Sequence, residues 1–169
     1  MTEFDYVSSQ LEYNPQTGLL KWKVGQKGRR IGQPAGGLDS KGYIRIRLNG
    51  IGGHKFLAHR VIWLLVTGQW PVGFLDHKNG DRSDNRLSNL REATRAQNSQ
   101  NSKINRTNTT GVKGVYFDRG RNRPSPWRAF ITIQGEKTFI GYFPSLEEAK
   151  SAREKMEEKH FKDFRYESN

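Results

Sequence analysis

The stretch from Asp76 to Asn98 constrains the fold of this chain most, because its residue types are suited to chemistry rather than to packing. A short apolar run ends at Leu75, and the Asn79-Gly80 pair behind it favours a tight reversal of the chain. We therefore expect Asp76 and His77 to lie at the end of a strand that enters a hairpin-like loop. Both side chains would then face the concave side of that loop.

The residues after this loop predict a return strand followed by a helix. Leu90–Ala93 fits a short return strand, and Thr94 with Gln97 matches a capping box that starts a helix at Thr94. Asn98 then falls in the first or second turn of that helix. A ββα unit of this size lets Asp76 and Asn98 converge on one point, which predicts a site for one hard metal ion beside one base.

Several segments match one known family at fixed spacings: Ala58-His59-Arg60, Asp76-His77, Asn79-Gly80-Asp81, Asp84-Asn85-Arg86, Ser88-Asn89-Leu90-Arg91 and Asn98. In these residues the chain resembles the HNH endonucleases with a ββα-metal (His-Me finger) motif, in particular the homing type encoded by phages and introns. The resemblance extends from about Leu11 to Asn101. It implies a metal-dependent DNA endonuclease that hydrolyses a phosphodiester bond in duplex DNA.

The resemblance also assigns roles to four residues. The histidine after the aspartate is the general base of the family, so this role falls on His77. The aspartate and a late Asn or His hold a divalent cation, a role that falls on Asp76 and Asn98, and the asparagine that braces the loop is Asn89. One Mg²⁺ (or Mn²⁺) ion is the implied cofactor, because an amide oxygen in place of an imidazole disfavours softer metals.

His59 is a further candidate ligand, since it recurs in the resemblance as Ala-His-Arg. It opens a predicted helix, His59–Thr67, which ends at Gly68 and is followed by Pro71. A single histidine that opens an apolar helix is more often a buried, hydrogen-bonded structural group. We favour that interpretation, and a catalytic role for His59 stays open.

The residues before this helix predict two β-hairpins. The first is a strand, a turn and a second strand within Leu11–Trp22, and a flexible basic loop follows at Lys27–Gly32. The second begins with a strand at Tyr43–Leu48, where apolar and polar side chains alternate, and Asn49-Gly50 then turns the chain. Arg45 and Arg47 lie on the polar face of this last strand. That face either follows a DNA backbone or is an ordinary solvated strand face.

Charge and cysteine content narrow the possible partners. The formal net charge of +12 over 169 residues indicates a polyanionic partner, and nucleic acid is favoured over a membrane because no basic amphipathic helix or long apolar run accompanies the charge. The resemblance to the HNH endonucleases implies that this partner is double-stranded DNA. The alternative is that the charge serves only solubility. The sequence contains no cysteine, which excludes a disulfide partner and any cysteine-based zinc site. The longest apolar run, Val61–Val66, is too short to span a bilayer, so we expect a soluble protein of the cytoplasm, the host cytoplasm if phage-encoded.

The remainder of the chain predicts a second domain. A polar stretch from Asn98 to Thr110 places a boundary near residue 105, which gives an endonuclease domain with its N-terminal β region at 1–101, a linker at 102–110 and a third segment at 111–169. In that segment Lys113–Asp118, Trp127–Gln134 and Lys137–Phe143 predict three strands, with Gly135-Glu136 as the second turn. Ser145 then caps a helix from Leu146 to about Phe161.

The middle strand of this segment has two distinct faces. Trp127, Ala129, Ile131 and Ile133 share the predicted core side, while Arg128, Phe130 and Thr132 face outward. Five segments of this part of the chain resemble the AP2 DNA-binding domain. They are Gly114-Val115-Tyr116, Trp127-Arg128-Ala129-Phe130-Ile131, Phe139-Ile140-Gly141-Tyr142-Phe143, Glu147-Glu148-Ala149 and Ala152. In that family the outer sheet face lies in the DNA major groove, which assigns contacts to Lys113, Tyr116, Arg128, Phe130, Thr132, Lys137 and Phe139. The alternative is that the aromatic side chains cover a sheet edge or dock on the nuclease half.

The predicted fold class is therefore α+β. It comprises a ββα-metal nuclease core with N-terminal β-hairpins, and a three-stranded antiparallel sheet with one packed helix. The predicted activity is a homing-type DNA endonuclease, and a monomer with one such site would nick; we favour a monomer, with a dimer as the alternative. Two other classes compete: a catalytically inactive, sequence-specific DNA-binding protein on the same scaffold, and an RNA-binding or interaction module.

Overall fold

Two compact units make up the chain, Met1–Thr94 and Arg95–Asn169. A computed structural model describes residues 1–26, 28–102, 104, 107–118, 124–161 and 164. The division between the units falls seven residues before the predicted end of the endonuclease domain, residue 101. The described residues do not include Lys27, parts of the predicted linker at 102–110 or the end of the predicted segment 111–169.

The first unit begins with a helix that the sequence analysis did not predict. Helix α1 covers Glu3–Gln10, and its N-terminus is closed by a capping box in which the Thr2 hydroxyl accepts from the Asp5 N–H at 3.1 Å. Strands β1, Leu11–Asn14, and β2, Leu19–Trp22, then form an antiparallel hairpin. This hairpin is the strand-turn-strand predicted for the same residues.

A second sheet carries the basic strand. Its strands are β3 (Gly37–Leu38), β4 (Ile44–Arg47) and β5 (Lys55–Leu57), which pair antiparallel in the order β3-β4-β5. Helix α2 follows at Ala58–Thr67 and ends at Gly68, whose φ of 77° only a glycine adopts readily. Side chains from both sheets and both helices meet in one core that includes Val7, Leu20, Ile46, Leu48, Val61 and Ile62.

The predicted ββα segment has its two strands at the expected positions. Strand β6 covers Phe74–His77, and β7 covers Leu90–Ala93. They pair antiparallel with Asp76 opposite Arg91 and His77 opposite Leu90. Helix α3, Arg95–Gln100, begins one residue after the predicted start at Thr94 and is counted with the second unit.

The second unit contains a three-stranded antiparallel sheet and one long helix. The strands are β8 (Val115–Phe117), β9 (Trp127–Ile133) and β10 (Glu136–Phe143), and they lie in the order β10-β9-β8. Helix α4 covers Leu146–Phe161. The predicted turn at Gly135-Glu136 is wrong by one residue. Gln134 and Gly135 have φ values of 52° and 92°, so they form the turn and Glu136 already belongs to β10.

One face of this sheet packs on α4, as the alternation in β9 predicted. Val115, Ala129 and Ala149 are fully buried there, with Trp127, Ile140, Phe143 and Leu146 packed around them. The backbone at Gly114 lies close to the backbone of Phe130, and only a glycine fits there, because a Cβ atom at this position would collide with the carbonyl oxygen of Phe130. A search for helices able to cross a membrane finds none among the described residues.

Candidate active site

The end of β6 presents two buried polar side chains in succession. Asp76 and His77 both lie in the β6–β7 pair and are almost completely removed from solvent. The carboxylate Oδ2 of Asp76 accepts a hydrogen bond from Arg91 Nε at 2.9 Å and lies 2.7 Å from Arg91 Nη2. A buried carboxylate is costly without a counter-charge, and the guanidinium of Arg91 supplies one to Asp76.

Asn89 fastens the two ends of the loop between these strands. Its Oδ1 accepts from the backbone N–H of Asn79 at 3.1 Å, and its Nδ2 donates to Asn79 Oδ1 at 3.0 Å and to the Asp84 carbonyl at 2.8 Å. Its own carbonyl accepts from Lys78 N at 2.9 Å. These bonds are the geometry of a loop brace, the role that the resemblance assigns to this residue.

Asn85 holds the imidazole of His77. Its Oδ1 lies 3.0 Å from His77 Nε2, and its side chain is only 1% exposed. A carbonyl-type oxygen accepts only from a protonated nitrogen, so this contact favours the tautomer with hydrogen on Nε2 and the lone pair on Nδ1. The pair thus prepares His77 to take a proton through Nδ1.

Burial sets the charge state of His77. It lowers the pKa of the imidazole below its usual value, although the Asn85 hydrogen bond and the carboxylates of Asp76, Asp81 and Asp84 act in the opposite direction. The neutral form is therefore the form present near neutral pH. A neutral imidazole is the state that a general base requires.

His59 lies against His77 in the same buried cluster. The two rings meet edge to face with centroids 4.9 Å apart, and the ring of Tyr43 lies 5.5 Å from His59. Burial first, and then the charges of His77 and Arg60, lower the pKa of His59 to about 3. His59 is thus a buried neutral ring that packs on His77, and its structural role stays a prediction. The guanidinium of Arg82 lies over the Tyr43 ring at 4.9 Å and places a cation at the edge of this cluster.

The N-terminal hairpin supports the loop from the other side. The Tyr13 hydroxyl donates to the Asn85 carbonyl at 3.2 Å and accepts from the Leu87 N–H at 2.8 Å. The turn of the same hairpin approaches so closely that a Cβ atom on Gly18 would lie 2.6 Å from Arg86 N. These contacts fix the loop at the residue that holds His77.

Asp76 and Asn98, the two residues predicted to hold a metal ion, both carry hard oxygen donors. Asp76 belongs to the first unit and Asn98 to α3 of the second, where its side chain is partly buried. A carboxylate and an amide oxygen suit Mg²⁺, which keeps several waters and needs few protein ligands. Within the described ranges, no three His, Asp or Glu side chains gather into a metal-binding group, and this donor set does not require one.

A family model described as HNH endonuclease matches residues 56–100. This HNH-like region contains α2, β6, the braced loop, β7 and α3, and the match supports a nuclease that acts on DNA. No curated protein and no solved structure matches the chain.

The basic strand β4 is exposed on the face predicted from its alternation. Arg45 and Arg47 point away from the core, while Ile46 between them is buried. Arg45 Nε pairs with Asp39 Oδ2 at 2.7 Å, so part of its charge is compensated locally. Whether these arginines contact DNA stays a prediction.

The outer face of the second sheet carries six of the seven residues predicted there as DNA contacts. Strand register opposes Tyr116 to Arg128, Phe130 to Phe139, and Thr132 to Lys137, all facing away from α4. Lys113 differs, because its ammonium donates to the Ser99, Gln100 and Ser102 carbonyls at 3.0–3.1 Å. Burial lowers the pKa of Lys113, and a DNA contact would compete with these bonds.

Three contributors to the active site received no role from the sequence. Asn85 and Arg91 lie inside the matching segments Asp84-Asn85-Arg86 and Ser88-Asn89-Leu90-Arg91, so the motif contained a signal for both. Tyr13 is 72 positions from Asn85, and nothing in its local pattern indicates the contact. Tyr142 also belongs to the outer face of the second sheet, opposite Arg128.

Proposed function

We propose that the protein is a metal-dependent, homing-type DNA endonuclease that nicks duplex DNA. The observation that carries this proposal is the neutral, buried imidazole of His77, held through Nε2 by Asn85 and adjacent to the carboxylate of Asp76. The match of residues 56–100 to HNH endonucleases supports the same activity. A binding protein without catalysis would not need a buried base with a fixed tautomer.

In the proposed reaction, His77 Nδ1 takes a proton from a water molecule. The water oxygen attacks the scissile phosphorus, the bond from phosphorus to the 3′ oxygen breaks, and its electron pair leaves with that oxygen. Solvent then protonates the 3′ oxygen, and the products are a 5′ phosphate and a 3′ hydroxyl. Asn85 keeps the lone pair of His77 on Nδ1 while Asn89 holds the loop that carries Asn85.

Asp76 and Asn98 are the proposed holders of one Mg²⁺ or Mn²⁺ ion. When bound, the ion would stabilise negative charge on the phosphate and on the departing oxygen. The contact of Arg91 with Oδ2 at 2.7 Å would hold the Asp76 carboxylate in one orientation.

The second unit is proposed as an AP2-like DNA-binding module. Its outer sheet residues, with Arg45 and Arg47 of the first unit, would anchor the protein on DNA around the cleavage site. The net charge of +12 supports such a polyanionic partner. One active site in a monomer cuts one strand, so a nick is the proposed product.

Conversion of supercoiled plasmid to the open circular form tests the activity. We expect nicks with Mg²⁺ or Mn²⁺ and none with EDTA, and the His77→Ala protein, purified in parallel, should show no comparable nicking. A His54→Ala control removes an exposed histidine and should nick at the native rate. Equal nicking by the His77→Ala protein would contradict the assignment of the base.

A second function is favoured by one specific contact. Arg91 already binds Oδ2 of Asp76, so a cation must share this oxygen with a guanidinium. If Arg91 prevents metal binding, the protein is a DNA-binding protein on an HNH scaffold. A gel shift with duplex DNA, without nicks under any divalent ion, would favour this alternative.

A further inference from the structure

Four aromatic side chains form a continuous strip across the outer face of the second sheet. Tyr116 of β8, Phe130 of β9, and Phe139 and Tyr142 of β10 follow one another with ring centroids 6.1, 5.2 and 5.1 Å apart. Tyr116, Phe139 and Tyr142 are each more than 40% exposed. We call these four residues the aromatic strip.

A β-bulge brings the fourth ring into the strip. Phe139 and Tyr142 are three positions apart, so a regular strand would direct them to opposite faces. The register between β10 and β9 shifts between Phe139 and Gly141, and the extra residue returns Tyr142 to the outer face, opposite Arg128. The bulge therefore places Tyr142 in the same row of the sheet as Tyr116, because both lie opposite Arg128.

The charges around the strip favour a polyanion. The ammonium of Lys137 lies 4.2 Å above the Phe130 ring and 5.7 Å from the Tyr116 ring. Arg128 adds a second cation, which pairs at 3.7 Å with Asp118 beyond the end of β8. The outward positions of β8, β9 and β10 carry these two cations and no carboxylate.

A cleft of about 600 Å³ adjoins the strip within the same unit. Tyr116, Phe130 and Lys137 line one side, and Arg95 and Ser99 of α3 contribute to the lining. This volume lies in the range of cavities that hold small ligands, and a single nucleotide fits that range. Aromatic and cationic groups thus border both the open strip and the cleft.

We propose that the aromatic strip stacks on unpaired bases, so that the preferred ligand is DNA with a single-stranded segment next to a duplex. Stacking needs the flat face of a base, which a base pair inside a duplex does not offer. Duplex bases are distinguished mainly by hydrogen bonds from side chains such as Arg, Asn and Gln, and the outward residues of the three strands include one arginine and neither amide. Lys137 and Arg128 then neutralise phosphates beside the stacked bases.

This inference rests on the proposed function only in taking DNA as the ligand, and it does not depend on cleavage. Fluorescence anisotropy of the full chain in EDTA, at one fixed salt concentration, measures binding without turnover. The three labelled probes are a fully paired duplex, the same duplex with an unpaired oligothymidine extension, and the extension strand alone. We expect the extended duplex to bind more tightly than the fully paired duplex.

Two variants identify the surface responsible. Phe139→Ala removes one exposed ring of the strip and should weaken binding of the extended duplex about tenfold, a clearly larger loss than for the paired duplex. Phe117→Ala is the matched control, because Phe117 is similarly exposed, 46% against 47%, but lies on the α4 side of the sheet. It should leave all three affinities unchanged, and Phe139→Trp should restore binding of the extended duplex.

Three results would overturn the inference: equal affinity for paired and extended duplexes, an equal loss on both probes in Phe139→Ala, or the same loss in Phe117→Ala. Thermal unfolding of each variant, with an unchanged midpoint, establishes that the ring and not the fold was lost. The plasmid assay reports separately on the proposed function. Metal-dependent nicking together with any of these three results would reject the stacking surface and leave the endonuclease intact.

Discussion

The two units place their polar and aromatic side chains in opposite ways. In the first unit the polar groups Asp76, His77, Asn85 and Asn89 are buried and hydrogen-bonded to other groups of that unit. In the second unit, large aromatic rings lie exposed on the outer sheet face. A general base must be held in one orientation toward the water that it deprotonates, whereas a binding surface must remain accessible to its ligand.

This difference has a consequence for substitutions. Each buried polar group in the first unit both supports the fold and positions the chemistry, so its loss should affect stability and activity together. Each exposed ring in the second unit affects binding while changing stability little.

The largest expected effect is on the rate of cleavage. His77→Ala should lower the single-turnover rate on duplex DNA by about 10²- to 10⁴-fold, because the proton of the attacking water loses its acceptor. Affinity for DNA, measured in EDTA, should stay within about twofold of the native value if binding belongs to exposed surfaces. A comparable loss of affinity would show that the buried site and the binding surface are not separate.

Asn89→Ala should destabilise the first unit. The substitution removes three side-chain hydrogen bonds, two with Asn79 and one with the Asp84 carbonyl. At about 1 kcal/mol for each, the free energy of unfolding should fall by about 3 kcal/mol in urea titrations. Ser88→Ala, an exposed neighbour, and Phe139→Ala of the other unit should each change it by less than about 1 kcal/mol.

The buried histidines should make stability depend on pH. His59 has a folded pKa of about 3, so below its ordinary pKa the unfolded chain binds a proton that the folded chain does not. The stability that the neutral His59 contributes is therefore fully present above the ordinary pKa of histidine, and it is lost as the pH falls below that value. Between about pH 7 and pH 5 the loss from His59 should be about 2 kcal/mol, and the lowered pKa of His77 adds to it.

Replacing His59 separates its share of this dependence. His59→Gln cannot gain a proton, so the free energy of unfolding should fall less steeply with decreasing pH than in the native protein. His54→Gln, at an exposed position, should retain the native slope. An unchanged slope in His59→Gln would mean that His59 is already protonated, or accessible to water, in the folded state.

The sequence predicted what local patterns encode. Strands β6 and β7 fall at the residues expected from the apolar run before Asp76 and the Asn79-Gly80 turn, and the two faces of β9 follow its alternation. The bulge after Phe139 was not predictable from alternation, because an inserted residue breaks the pattern that locates it. The convergence of Asp76 and Asn98 stays a prediction that depends on both units.

Local sequence patterns did not predict the contacts by which distant parts of the chain support the candidate site. Helix α1 had a signal in Thr2 and Asp5, three residues apart at its start, but its apolar face is weak and Val7 is its one buried residue. The hydrogen bonds of Tyr13 to the loop between β6 and β7 join residues more than 70 positions apart. No periodicity encodes a contact of this kind, because it is fixed by how the first hairpin packs.

Tyr13→Phe tests this long-range support and should have the smallest effect. The substitution keeps the ring but leaves the Leu87 N–H and the Asn85 carbonyl without the hydroxyl, which should lower the free energy of unfolding by about 1–2 kcal/mol. Tyr6→Phe is the matched control, because within the described residues no hydrogen bond of the Tyr6 hydroxyl is found and the ring packs on the same core. Since Asn85 holds His77, Tyr13→Phe should also slow cleavage while Tyr6→Phe should not. A stability loss with a native cleavage rate would mean that the loop keeps its active geometry without the hairpin.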